Sequence, residues 1–160
     1  MAASLQMHLT GGASNADPAL SLGGVSSSVQ VSATALNNIF DNVAPAESVA
    51  GDVEYRAVDL KNSGDATAQV VAAWMEPETS SPHTVLDFGI EASPLGSTTS
   101  IANESTAPAG VTFAHRTSAS KITIPDIPAG SYARLWIRRT VAAGALNAAN
   151  DQGTINVEYA

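Results

Sequence analysis

Ser131-Tyr-Ala-Arg-Leu-Trp-Ile-Arg-Arg-Thr-Val141 alternates along its length: Ala133, Leu135, Ile137 and Val141 fall on one side of an extended chain, and Tyr132, Arg134, Trp136 and Arg138 on the other. Successive side chains of a strand point to opposite faces, so an apolar period of two marks a strand. Its aromatic and branched residues suit the packed interior of a sheet, which predicts a central strand. The segment before it, Pro125-Asp-Ile-Pro-Ala-Gly130, holds two prolines and a glycine and reads as a corner.

The same period recurs outward from this stretch. Asp52 to Asn62 reads as a strand with Val53, Tyr55 and Ala57 on one face and Glu54, Arg56 and Val58 on the other. Asn62-Ser-Gly-Asp65 is a turn signal, and Ala66 to Met75 follows with Ala68, Val70, Ala72 and Trp74 on one face, so a β-hairpin is predicted over 52–75. Leu5, Met7 and Leu9, then Val29 and Val31, and Leu86, Phe88 and Ile90 alternate in the same way, as do Val111 and Phe113, Ile122 and Ile124, and Ile155, Val157 and Tyr159. Ala35 to Phe40 is long enough for one helical turn only. Glu76 to Pro82 and Ala142 to Gly153 read as loops, and Ala92 to Gly110 as a long surface loop of the kind that makes contacts. Eight or nine short strands without a convincing helix predict an all-β chain, an antiparallel β-sandwich or jelly-roll-like single domain over 1–160. Residues 1–24 read as an extended N-terminal contact arm whose Leu5–Leu9 strand either pairs with a neighbour's sheet edge or joins the protein's own core.

Composition narrows the function classes. Charged residues make up 14% of the 160 residues, against about 25% in an average globular chain. The net charge of −8 argues against a nucleic-acid partner, which needs clustered Lys and Arg. Residues 1–110 carry twelve acids and only two bases, Arg56 and Lys61, whereas 111–160 carry Arg116, Lys121, Arg134, Arg138 and Arg139 against three acids. The simplest use of that polarity is pairing across strands of one sheet; subunit contact is the other. There is no cysteine, hence no disulfide framework and no thiolate metal site. No apolar run approaches a membrane span, and Met1-Ala-Ala-Ser-Leu5 lacks the basic and apolar regions of a signal peptide, so no membrane partner and no secretion are expected.

The search for chemistry returns nothing. Ser118-Ala-Ser-Lys121 spells S-x-x-K, but it leads straight into Ile122-Thr-Ile124, and in a strand a separation of three puts the two side chains on opposite faces. Asp59–Asp65 and Asn147–Asp151 are rich in oxygen ligands yet lack the spacing and terminal glutamate of a calcium loop; turn capping explains them. His8, His83 and His115 are far apart, and neither His83 nor His115 has a ligand or carboxylate at triad or metal spacing. Asn103-Glu-Ser105 is a glycosylation sequon only in a secretory setting. Trp74 and Trp136 are assigned to core packing. No catalytic, cofactor-binding or metal-ligating residue is predicted, no cofactor and no small-molecule substrate.

Several stretches resemble a known family. They are His8-Leu-Thr-Gly-Gly-Ala-Ser-Asn-Ala-Asp-Pro18, Ser21-Leu-Gly-Gly24, Leu36-Asn-Asn-Ile-Phe-Asp41 and Gly51-Asp-Val-Glu-Tyr-Arg56. Ala102-Asn-Glu-Ser-Thr-Ala-Pro108, Gly110-Val-Thr-Phe113, Ile127-Pro-Ala-Gly130 and Trp136-Ile-Arg-Arg-Thr-Val141 extend the likeness over nearly the whole chain. Together they resemble small virion structural proteins of tailed bacteriophages, and a small acidic β-sandwich of that kind is similar to capsid decoration (cement) proteins. The resemblance implies a non-enzymatic component that binds the outside of the major capsid shell and stabilises it by bridging capsomers. It further implies the major capsid protein and the chain itself, as a homotrimer, as partners. Its location would be the virion, assembled in the host bacterial cytoplasm. A tail or baseplate component is the alternative, to be told apart by copy number per particle.

Overall fold

The computed structural model describes residues 2–79, 81, 83–148 and 151–160. Nine strands form: β1 (Leu5–Thr10), β2 (Ser26–Gln30), β3 (Asp52–Asn62), β4 (Ala72–Glu78), β5 (Thr84–Ile90), β6 (Thr112–Ala114), β7 (Ile122–Thr123), β8 (Tyr132–Val141) and β9 (Gly153–Glu158). Among the described residues a short α-helix, α1 (Pro45–Ala50), precedes β3, and Pro18–Leu20 makes a 3-10 turn. Six strands make one antiparallel sheet in the order β2-β1-β3-β8-β5-β6, and three make a second in the order β7-β4-β9. The chain is therefore an all-β, sandwich-like fold.

The core lies between the sheets. Val58, Leu60, Phe88, Ala133, Leu135 and Ile137 from the larger sheet meet Ala73, Met75 and Ile122 of the smaller one, with Ala68, Val71, Ile124 and Ile127 from the flanking turns. As its alternation predicts, β8 is central, hydrogen-bonded to β3 on one side and β5 on the other. Its second face is also covered. Trp136 is fully buried there with Ala57 and Ile101, beneath Leu22, Tyr55, Val111 and Phe113. The cover comes from loops. Gly23 bridges Ser100, Leu95 bridges Ala133, and the Tyr55 N–H donates to the Glu104 carbonyl (2.7 Å). The Ala92–Gly110 stretch, expected as a free surface loop, therefore has an inner side that forms a third layer.

The predicted hairpin does not form. Both edges of β3 are occupied, by β1 and β8, so Ala66–Met75 has no place beside it. The Asn62–Asp65 turn instead carries the chain into the second sheet. There the Asn62 carboxamide accepts from the Ser4 and Gly64 N–H groups and donates to the carbonyls of Ala66 and Ile127. A Cβ on Gly64 would lie 2.3 Å from the Ala2 carbonyl oxygen, so the glycine admits the N-terminal segment. The face assignment also changes within the run. Val70 sits in the left-handed region (φ 53°), which shifts the alternation by one residue. Ala68, Val71, Ala73 and Met75 consequently face the core, while Trp74 points outward with the Lys121 ammonium 4.5 Å from its ring centroid. β4 also runs on through Pro77, where a loop was expected, because its pairing with β9 slips between Met75 and Glu78 and so spares the missing N–H.

Of the two readings of Leu5–Leu9 the second holds, and two further expectations change. Leu5–Thr10 has β2 on one side and β3 on the other, so it is a strand of the protein's own sheet with no edge to lend a neighbour. The rest of the 1–24 arm folds back along β3, where the Ala57 N–H donates to the Ser21 carbonyl (2.7 Å). Ala35–Phe40 is not helical; Leu36 and Asn37 have φ of 68° and 54°. The helix is α1 instead, with Pro45 in its first turn and the Glu47 carboxylate accepting from the Ala44 N–H (2.7 Å).

Val70 supports a first prediction. A β-branched residue at positive φ is strained, and this one is 75% exposed, so little packing offsets the strain. Val70→Gly is expected to raise the unfolding free energy by about 1 kcal/mol, after the entropy that glycine adds to the unfolded chain. A lower urea midpoint for the variant would contradict this.

Candidate functional site

The acidic front and basic end of the sequence meet across β8. Arg134 lies opposite Asp59, Arg139 opposite Glu54 and Arg138 opposite Asp87. Arg134 and Asp59 are fully buried, with Nε donating to Oδ1 (2.9 Å) and Nη2 to Oδ2 (3.0 Å). The remaining donors of Arg134 reach the carbonyls of Thr99 (2.7 Å) and Gly24 (2.9 Å). One guanidinium thus ties both covering loops to the sheet. Burial pushes the Asp59 carboxyl up, and the hydrogen bonds and charge of Arg134 pull it back.

A second charge cluster lies on the core face of the large sheet, opposite the face that carries Asp59 and Arg134. Arg139 Nε donates to Glu54 (2.5 Å), and the same guanidinium reaches the carbonyl and carboxylate of Asp41. Arg56 binds Glu104 (2.6 Å) and lies 3.7 Å from Glu54. The Phe40 ring takes both guanidiniums, Arg139 at 5.0 Å and Arg56 at 5.4 Å from its centroid, which anchors the irregular segment before α1. Burial raises the Glu54 carboxyl, against the pull of Arg139 and Arg56. These groups bond one another.

His115 differs from its sequence reading. Its Nε2 is 3.3 Å from Glu78, and its Nδ1 bonds the Leu86 carbonyl (2.9 Å). The carboxylate comes from β4, 37 positions away in sequence and out of reach of any spacing rule. Burial is the main influence on Glu78 and raises its carboxyl; His115 lowers it, and Asp151 and Asp87 raise it. A carboxyl raised in the folded state stabilises fully below its ordinary value of 4.5, and that contribution is lost as pH rises through the folded value. Glu78→Gln escapes that loss. Urea midpoints from about pH 4 to about pH 8 should therefore move in the variant's favour as pH rises, by under about 1 kcal/mol in total. A difference that stays constant with pH would refute it.

The remaining motif candidates are separate. Lys121 of the S-x-x-K spelling bonds Glu158 (2.7 Å), while Ser118 is exposed. Asn103 caps its own turn, accepting from the Ser105 N–H and the Thr106 hydroxyl. His8 is buried against the Ser27 carbonyl and His83 is half-buried at the start of β5. Of Asn147–Asp151, residues 149 and 150 lie outside the described residues. Among the described residues no group of three or more His, Asp or Glu is placed to hold a metal ion, and no helix is long and apolar enough to cross a membrane.

An open cleft of about 550 Å³ lies where β6 at the edge of the large sheet faces β7 at the edge of the small one. Thr112, Ile122 and Thr123 line it, with Glu91 on one side and Arg116 and Lys121 from the β6–β7 connection. The sequence does not single out Arg116, because the placing of β6 and β7 at the edges of two different sheets depends on their pairing with other strands. No protein-family profile, curated protein or solved structure matches this chain.

Proposed function

We propose that this chain is a non-enzymatic structural component of a tailed-phage virion, a decoration protein that lies on the outside of the major capsid shell and stabilises it by bridging capsomers. The likeness of its sequence stretches to virion structural proteins brings the reading to this chain. The observation that carries it is the disposition of charge: all four arginines of β3 and β8 end on carboxylates of the same chain. The arginines are thus satisfied within the chain, where their pairs stiffen a layered slab. Loops of small side chains face outward, above all 13–19 and 102–109. A decoration protein works by adding contact area at many equivalent sites, each weak, whose sum stabilises the shell. Such loops suit that task, since small side chains lose little conformational entropy when a partner covers them.

Because Leu5–Thr10 belongs to the sheet, these loops and not the N-terminal strand are the contact elements of the proposal. Quantitative mass spectrometry of purified particles tests it. A copy number comparable to that of the major capsid protein supports decoration. A small multiple of six would move the chain to the tail or baseplate, and absence from particles would overturn both readings.

A further inference from the structure

We propose that the cleft between the free edges of β6 and β7 receives an extended, carboxylate-bearing segment of a partner polypeptide, with Arg116 engaging the carboxylate. The inference stands apart from the virion reading. It begins from the fate of the bases. Of the seven in the chain, Arg56, Arg134, Arg138, Arg139 and Lys121 each bond a carboxylate, and Lys61 lies half-buried on the outer face of β3. Arg116 has no carboxylate partner among the described residues, and its Nε is buried with no acceptor. Arg56 Nε is also buried without an acceptor, but that guanidinium binds Glu104, so Arg116 is the arginine whose guanidinium meets no carboxylate among the described residues. Its unmet donor carries the full cost of its lost hydration until an acceptor arrives.

The surroundings specify the acceptor. Lys121 is held by Glu158 and lies over Trp74, so it does not compete for the site. Glu91 shares the cleft, but its two oxygens are taken by the Trp136 Nε1–H (3.0 Å) and the Thr99 hydroxyl (2.9 Å). Arg116 therefore draws no partner from the cleft wall, and its planar fork suits a carboxylate. Both flanking strands are sheet edges, whose outward backbone groups are open to another strand. Strand addition supplies affinity through the main chain and specificity through one anchored side chain. The cleft's volume falls within the roughly 300–1,000 Å³ of ordinary binding clefts.

The test is an NMR titration of the full ¹⁵N-labelled chain at fixed ionic strength. The probes are a blocked peptide of alternating Glu and Val, the same peptide with Gln for Glu, and sodium acetate. The proposal expects the Arg116 Nε–H and the amides of Thr112 and Thr123 to move saturably with the Glu peptide. Binding should weaken at least about tenfold with the Gln peptide and in Arg116→Gln, and stay unchanged in Lys61→Gln. Equal binding of both peptides to the native protein would overturn the carboxylate role. Acetate moving Arg116 as effectively as the peptide, with Thr112 and Thr123 still, would reduce the site to an anion contact and overturn the extended occupant. Concentration-dependent dimers that Arg116→Gln abolishes would make the occupant a second copy and overturn a separate partner.

Discussion

Arg134→Met is expected to lower the unfolding free energy by about 3–5 kcal/mol, the range for removing one partner of a buried ion pair. Methionine roughly replaces the side-chain volume, so the cost is electrostatic. Asp59 is left fully buried without its bidentate partner, and the carbonyls of Thr99 and Gly24 each lose the guanidinium donor. Two consequences identify the cause. Asp59 escapes its predicament by taking a proton, so the deficit of the variant should shrink as pH falls. Adding Asp59→Leu removes the stranded charge, so the double variant should be more stable than Arg134→Met alone. Because Arg134 holds both covering loops, limited proteolysis should also cut within 92–110 faster in the single variant. A stability loss under about 1 kcal/mol would mean that the pair is not what holds the loops.

Trp136→Ala is expected to cost about 3–5 kcal/mol, as large-to-small changes at a buried aromatic do. The reason lies in a row across three strands. Ala57 and Gly89 flank Trp136 in register, so the indole occupies space that its neighbours' side chains leave free. A Cβ on Gly89 would come within 2.4 Å of Val111 Cγ1, which shows how closely the cover sits. Alanine would leave a cavity beneath Ile101 and Phe113 and strand the Glu91 oxygen that accepts from Nε1. Trp136→Phe keeps much of the volume but loses that hydrogen bond, so its urea midpoint should fall between the two. A Phe variant as unstable as the Ala variant would place the loss in the hydrogen bond and not in the packing.

The sequence by itself determined that the chain is built of strands and which side chains of β8 and β5 share a face, because a pleated backbone turns alternate residues to opposite sides whatever surrounds it. It also held the charge polarity whose resolution is the Asp59–Arg134, Glu54–Arg139 and Asp87–Arg138 pairs, although not which acid meets which base. Pairing was decided by the tertiary structure. The turn at Asn62–Asp65 has the composition of a hairpin, yet β1 and β8 occupy both edges of β3, and a strand has only two edges. Val70 shows the same limit within one segment: a single left-handed residue moves Trp74 from the expected core to the surface, and no alternation pattern registers a change of φ. The Glu78–His115 contact and the cleft around Arg116 were equally invisible. The first joins residues 37 positions apart, and the second depends on which strands lie at sheet edges, which is settled only when hydrogen bonding between distant segments competes for the same few edges.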